Sequence, residues 1–292
     1  MLQRSIDRVT RIPALGPGFD GDHHRAALVV APGDLPATDP FFLMADDNVT
    51  RQGGFGGPHP HAGLETVTFM LSGFMEDTGG RLEEGDVEWM TAGSGIVHAE
   101  NTMVSAGMRL FQLWLILPEA ERNMPPRVQI LRRDAMPVHT EPGVTATVYS
   151  GKLGQAAAPT QNAVPVTLVD IEMQPGATFA LPLSASYNAF AVVIDGEVDA
   201  GAEDHHLATG SVGWTSPAHG DEGVLKLTAH ENGARLLVYA GQPQNIEVVS
   251  QGPFIAGSRE ELAGYYATYR MGEFPHAGTM RAVDHAGKRS AI

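Results

Sequence analysis

Turn-forming residues break this chain into short apolar segments along its whole length. ETVTFMLSG, VEWMTAG, RLFQLWLIL, VTLVDIEM, AFAVVIDGEV, LKLTAH and ARLLVYAG are separated by Gly, Pro, Asp and Asn. Segments of this kind, rich in β-branched residues and bounded by turn residues, are strands of a sandwich or barrel. The expected fold is all-β. The exception is SREELAGYYATYRMGEF, where Ser258 stands three residues before Glu261 at capping-box spacing, followed by helix formers. This predicts one short C-terminal helix.

The 292 residues leave room for two domains, each with its own core. Two stretches share an order of events, from His59 through Gly73, Gly85 and Asp86 to His98, and from Leu181 through Gly196 and Gly210 to Trp214. Each has a polar or Pro-marked approach, an apolar strand ending at a Gly turn, and a second Gly-containing turn before the next strand. This weak internal repetition points to a duplicated barrel whose halves have diverged. Between them, PEAERNMPPRVQILRRDAMPVHTEPG is rich in Pro and charge and has no clear periodicity, as a connection would be. The expected division is residues 1–134, a linker over 135–145, and residues 146–292. The final HAGTMRAVDHAGKRSAI has few large apolar residues and is expected at the surface or frayed.

Composition excludes several function classes. A net charge of −15 with only 19 Lys and Arg, and no dense cluster of them, argues against direct nucleic-acid binding. No apolar run approaches the length of a membrane span. The N-terminus lacks the apolar core and cleavage site of a secretory signal, so the cytoplasm is the expected compartment. With no cysteine, any metal must be held by nitrogen and oxygen.

Such donors are present at a telling spacing. His59 and His61 in GPHPHAGLE are separated by one residue, so on extended chain they share a face, and His98 and Glu100 in GIVHAEN form a second such pair. If their strands are neighbours, the two pairs converge. Glu65 has the parity of His61, so either Glu65 or Glu100 could complete three imidazoles with a carboxylate, or Glu65 could only hydrogen-bond a ligand imidazole or a turn amide. This donor set suits Fe(II), Mn(II), Ni(II), Cu(II) or Zn(II) and leaves one or two positions for water or substrate. Val67 and Phe69 are of inward parity near the ligands, so they could line a pocket, but core packing is the role expected of them. His23, His24, His139, His205, His206, His219, His230, His276 and His285 are isolated or adjacent in pairs that face opposite ways, and are expected at the surface. There is no phosphate-binding loop, no GxSxG elbow and no HExxH helix.

DPFFLMADDN, GGFGGPHPHAGLETVTFMLSG and EEGDVEWMTAGSGIVHAEN together resemble the pirin family of the cupin superfamily. LPLSASYNAFAVVIDGEV, AGQP and GPFIAGSREEL are similar to that family's C-terminal domain. The resemblance runs from about Arg8 to Phe274 and implies two tandem cupin (jelly-roll β-barrel) domains. It also implies one metal in the first barrel, on the residues matching His59, His61, His98 and Glu100, which leaves Glu65 in support. LPLSASYN stands where the first half has HPHAGLE, which implies a metal-free second barrel. The family's usual HPHRGFETVTY reads HPHAGLETVTF here, and FMEDTGGRLEEGD is a shorter hairpin than usual; these departures at Ala62 and Leu64 are expected near the mouth of the site.

The resemblance implies two kinds of function. One is an iron-dependent dioxygenase of the quercetinase type, acting on a small aromatic, flavonol-like substrate with O2, with Glu100 as general base. The other is a metal-dependent regulator that binds a protein partner without turnover.

Overall fold

The computed structural model describes residues 2–77, 80–99, 103–217, 220 and 222–285. Glu100 and His219 therefore lie outside the described residues. The described chain is strand and loop apart from four 3-10 turns and the helix Arg259–Arg270. Ser258 caps that helix by accepting from the Glu261 amide at 3.1 Å, with Glu260 and Glu261 in the first turn and Arg270 in the last, each charge complementing the helix dipole.

Two large sheets organise the strands. In spatial order the first runs Gly16–Pro17, His24–Val30, Phe41–Val49, Met108–Ile116, Leu64–Ser72, Val87–Thr91, Arg127–Leu131 and Val283–His285. The main path of the second runs Val138–Glu141, Val144–Ser150, Val166–Met173, Glu222–Gly241, Asn188–Ala200, Ser211–Thr215 and Arg8–Arg11, with Thr178–Ser184 and His205–Ala208 pairing off it. Short ribbons close the first barrel: His59–His61 with Ile96–His98, and Phe74–Asp77 with Gly80–Glu83 and Met103–Val104.

The first sheet is covered on both faces, which explains why ETVTFMLSG carries so little polar alternation. Val67, Phe69 and Leu71 point into a core shared with the second sheet, against Tyr149, Leu168 and Phe190. Met70 points the other way, into the first barrel, with Met75, Leu82, Met90 and Ile96. The second barrel has its own apolar filling, in which Leu181 and Leu183 pack with Phe179, Val193 and Leu236.

The termini cross between the halves. Leu2–Gln3 and Arg8–Arg11 pair with strands of the second sheet. Arg4, 2% exposed, is held there by the carbonyls of Ser184, Tyr187, Thr215 and Ser216 and the Thr215 hydroxyl. In the C-terminal segment expected to fray, Ala277 is buried and Val283–His285 pairs in parallel with Arg127–Leu131. The Pro- and charge-rich stretch read as an irregular connection also contains strands, Arg127–Leu131 in one sheet and Val138–Glu141 in the other. Its flanking Arg and Pro residues mask the four-residue apolar pattern of VQIL.

Candidate metal centre

The ribbon His59–His61 pairs antiparallel with Ile96–His98, placing His59 opposite His98 and His61 opposite Ile96. Residues directly opposite in such a pair share a face, and so do residues two apart, so this register puts all three imidazoles on one side. Ring centroids lie 4.3 Å apart for His59 and His98, 4.9 Å for His59 and His61, and 5.1 Å for His61 and His98. One nitrogen of each ring falls within 4.8 Å of the others. Convergence of the three histidines was legible in the spacing; their opposition was not.

The surroundings favour the ligand form of each ring. His59 Nδ1 lies 2.8 Å from the Gly57 carbonyl and His61 Nδ1 lies 3.3 Å from that of Pro253. A carbonyl only accepts, so Nδ1 carries the proton in both and Nε2 keeps its lone pair. Burial, with the neighbouring His59 second and the Pro253 carbonyl opposing, pushes His61 down to about 3. Burial, then His61 and His59, holds His98 well below the ordinary histidine range. Among the described residues, neither nitrogen of the buried His98 finds a hydrogen-bond partner. A buried polar atom without a partner is costly, and a neutral imidazole lone pair beside two others is a site a divalent cation fits. His59, His61 and His98 could thus hold a metal.

The centre is backed by the far end of the chain. Ala62 bridges to Phe254 and Val97 to His276. Behind the ribbon, Ala62 and Val97 pack with Phe254, Leu262, Tyr265 and Phe274. Glu261 of the helix accepts from Arg122 of the first half at 2.7 Å. Trp114 stands edge-on to His61 at 5.0 Å, an aromatic flank that was not singled out from RLFQLWLIL because parity alone does not say which end of a strand meets the site.

Several expected placements need correction. Among the described residues the hydrogen bonds of Glu65 go elsewhere than to the histidines: its buried carboxylate accepts from Thr91 Oγ1 at 2.6 Å and from the amides of Ala163 and Val164 at 3.0 and 3.1 Å. It joins the two halves. The parity argument failed at Gly63, whose φ of +74° lies in the left-handed region and rotates the chain between His61 and Leu64. Burial raises the Glu65 pKa, against the opposing hydrogen bonds of Thr91 and the two amides. Val67 and Phe69 take the core-packing role expected of them, at 1% and 0% exposure, with Phe69 against Tyr149. Ala62 and Leu64 are wholly buried, so these departures fall at packing positions under the C-terminal segment and not at a mouth. His24, expected at the surface, is fully buried between Phe19 and Phe55 and bonded to Asp47 at 2.7 Å. No described helix is long and apolar enough to cross a membrane.

Comparison with known proteins places the chain among two-barrel relatives. Residues 26–115 match the sequence family described as pirin, and residues 168–275 match the pirin C-terminal cupin domain. Human pirin is 30% identical over 251 residues, covering 81% of this chain and 83% of its own. A crystal structure of a quercetin 2,3-dioxygenase from Acinetobacter baumannii superposes with a TM-score of 0.79 at 25% identity, covering 94% of this chain and 99% of that one. A bacterial pirin from Escherichia coli, solved in complex with nickel(II), shares the fold with a TM-score of 0.59 at 18% identity, covering 82% of this chain and 98% of its own.

Proposed function

Because the chain belongs to the pirin family of two-cupin proteins, we propose that it is an iron(II)-dependent dioxygenase that opens flavonol-like rings with O2. His59, His61 and His98 hold the metal, with Glu100 as the fourth ligand. The observation that carries this reading is the convergence of His59, His61 and His98, with His98 buried and neither of its nitrogens partnered among the described residues. Support for the substrate class comes from the likeness to the Acinetobacter quercetin 2,3-dioxygenase.

A bound metal would supply Lewis acidity toward a neighbouring hydroxyl–keto pair and the redox step toward oxygen. The protein's own residues do the rest. The Nδ1 bonds of His59 and His61 to backbone carbonyls fix both rings with Nε2 presented. Trp114 offers an aromatic edge beside His61 against which a planar substrate can rest. Glu100 takes the substrate hydroxyl proton, a role that commonly contributes 10²- to 10⁴-fold. Mn(II), Ni(II), Cu(II) and Zn(II) satisfy the same donors, so the metal is chosen by supply as well as by site.

Anaerobic reconstitution with Fe(II), metal analysis, and oxygen uptake with quercetin and other catechol-like compounds test the proposal. The expected result is metal-dependent uptake that falls at least 100-fold in Glu100→Ala. Uptake no greater than in that control would overturn the enzymatic reading. Retained metal with no turnover would leave the second kind of function, a metal-dependent regulator bound to a protein partner.

A further inference from the structure

A second cluster of metal-binding side chains lies outside the triad, on the outer surface of the second barrel. Glu197 and Asp199 are two apart on the strand Asn188–Ala200 and share a face. His206 is directly opposite Asp199 on the strand His205–Ala208. His230 comes from the other neighbour, Glu222–Gly241, where the register shifts between Gly196 and Val198 and extra residues of the partner strand bulge out. Three strands thus deliver four side chains to one spot, with the two imidazole centroids 4.9 Å apart. Their sequence separation hid this, because His206 read as one of an adjacent pair facing opposite ways and His230 as isolated.

The contacts divide by nitrogen. Asp199 Oδ1 lies 2.9 Å from His230 Nε2, a hydrogen-bonding length, and 3.4 Å from His206 Nδ1. A carboxylate between two ring nitrogens draws a proton onto each, leaving the opposite nitrogens, His206 Nε2 and His230 Nδ1, as lone-pair donors. Those two nitrogens face Glu197 Oε2 at 3.8 and 3.6 Å. These separations are too long for hydrogen bonds. They lie close to the edge of about 3.3 Å expected between donors around a tetrahedral ion with bonds of about 2.0–2.1 Å. All three donors fall within 4.8 Å of one another.

We propose that Glu197, His206 and His230 form a second divalent-metal site, of the Zn(II) class, with Asp199 as a positioning residue that sets the tautomer of both imidazoles. The ligands are partly exposed, so the fourth position opens to solvent. The ion pins three strands together across the bulge, and the site is independent of the first-barrel centre and of any activity there. An ordinary cluster of ion pairs differs in two ways: it needs protonated imidazoles, and it takes up no metal.

Zn(II) uptake by the full-length protein, measured by equilibrium dialysis and by titration calorimetry, tests this directly. Wild type is expected to bind one equivalent more than His206→Ala or Glu197→Gln, two conservative surface changes that leave the fold intact by circular dichroism. Asp199→Asn is expected to weaken that equivalent by about 10- to 100-fold without abolishing it, as loss of a group that only orients a ligand does. A His59→Ala/His98→Ala protein keeps the surface equivalent if both readings hold, and its behaviour separates failure of one from failure of the other. Equal stoichiometry in wild type, His206→Ala and Glu197→Gln would overturn the site.

Discussion

Replacing Glu65 separates the role that residue resemblance assigns to it from the role its contacts show. If it supports the metal, Glu65→Ala should strip metal from the protein. Its hydrogen bonds say otherwise: one goes to Thr91 and two reach the Ala163 and Val164 amides across the junction of the two sheets, and the side chain is fully buried. Alanine leaves a hydroxyl and two amides without their acceptor, at about 1–3 kcal/mol for each group left unpaired. The Thr91 hydroxyl can rotate to another acceptor and water can enter the space, so the expected loss is about 3–5 kcal/mol. With an unfolding entropy of about 2.1 cal/mol/K per residue, 292 residues melting together have about 0.6 kcal/mol/K. The melting temperature should therefore fall by about 5–8 °C while metal stoichiometry is unchanged. The pH dependence adds a second readout. Burial raises the Glu65 pKa, so the folded state binds that proton more tightly than the unfolded state does. This contribution to stability is fully present below the unfolded carboxylate pKa of about 4.3 and is lost as pH rises through the folded value. Glu65→Gln should flatten that slope. Loss of metal from Glu65→Ala with an unchanged melting temperature would refute the reasoning.

Three further outcomes follow from the same geometry. Metal at 100 times its Kd should stabilise the wild type by about 2.7 kcal/mol, about 4–5 °C on the slope above, and His98→Ala should remove most of that shift in differential scanning fluorimetry. His61 sits at about 3 when folded against an ordinary 6.5, so it binds its proton more weakly in the folded state; metal-free protein should lose stability as pH falls from about 6.5 toward 3, by about 2 kcal/mol at pH 5. Urea midpoints for wild type and His61→Ala should converge on acidification, and parallel curves would contradict the shift. Gly63→Ala would drive a Cβ into the Ile255 carbonyl from a left-handed φ of +74°, so it should cost at least about 3 kcal/mol and weaken metal binding, because the displaced strand Phe254–Ala256 adjoins the Pro253 carbonyl that holds His61. An unchanged metal affinity in a folded Gly63→Ala protein would count against coupling of that strand to the centre.

What the residues disclosed in order was the local pattern. Period-two spacing put His59 and His61 on one face, strand-like segments bounded by turns announced an all-β fold, and Ser258 with Glu261 marked a helix that forms where expected. Parity is a local rule, however, and it survives only while the chain stays extended. One glycine at Gly63 carried Glu65 to the junction between the sheets, and one register shift after Gly196 brought His230 beside His206. Both events depend on which strand lies alongside, information that no single segment holds.

The same limit explains why the candidate centre looked like the property of one barrel. Its three histidines fall between His59 and His98, yet the carbonyl that orients His61 belongs to Pro253, and the residues packed behind the ribbon come from the C-terminal helix and the segment around Phe274. A local duplication would give each barrel its own backing. Here the N-terminal strand Arg8–Arg11 completes the second sheet and Val283–His285 extends the first. Each half is therefore finished by chain from the other end, and the Pro253 bond that presents His61 Nε2 forms only when both halves are folded together. For that reason a metal held by the triad would couple its affinity to the stability of the whole molecule.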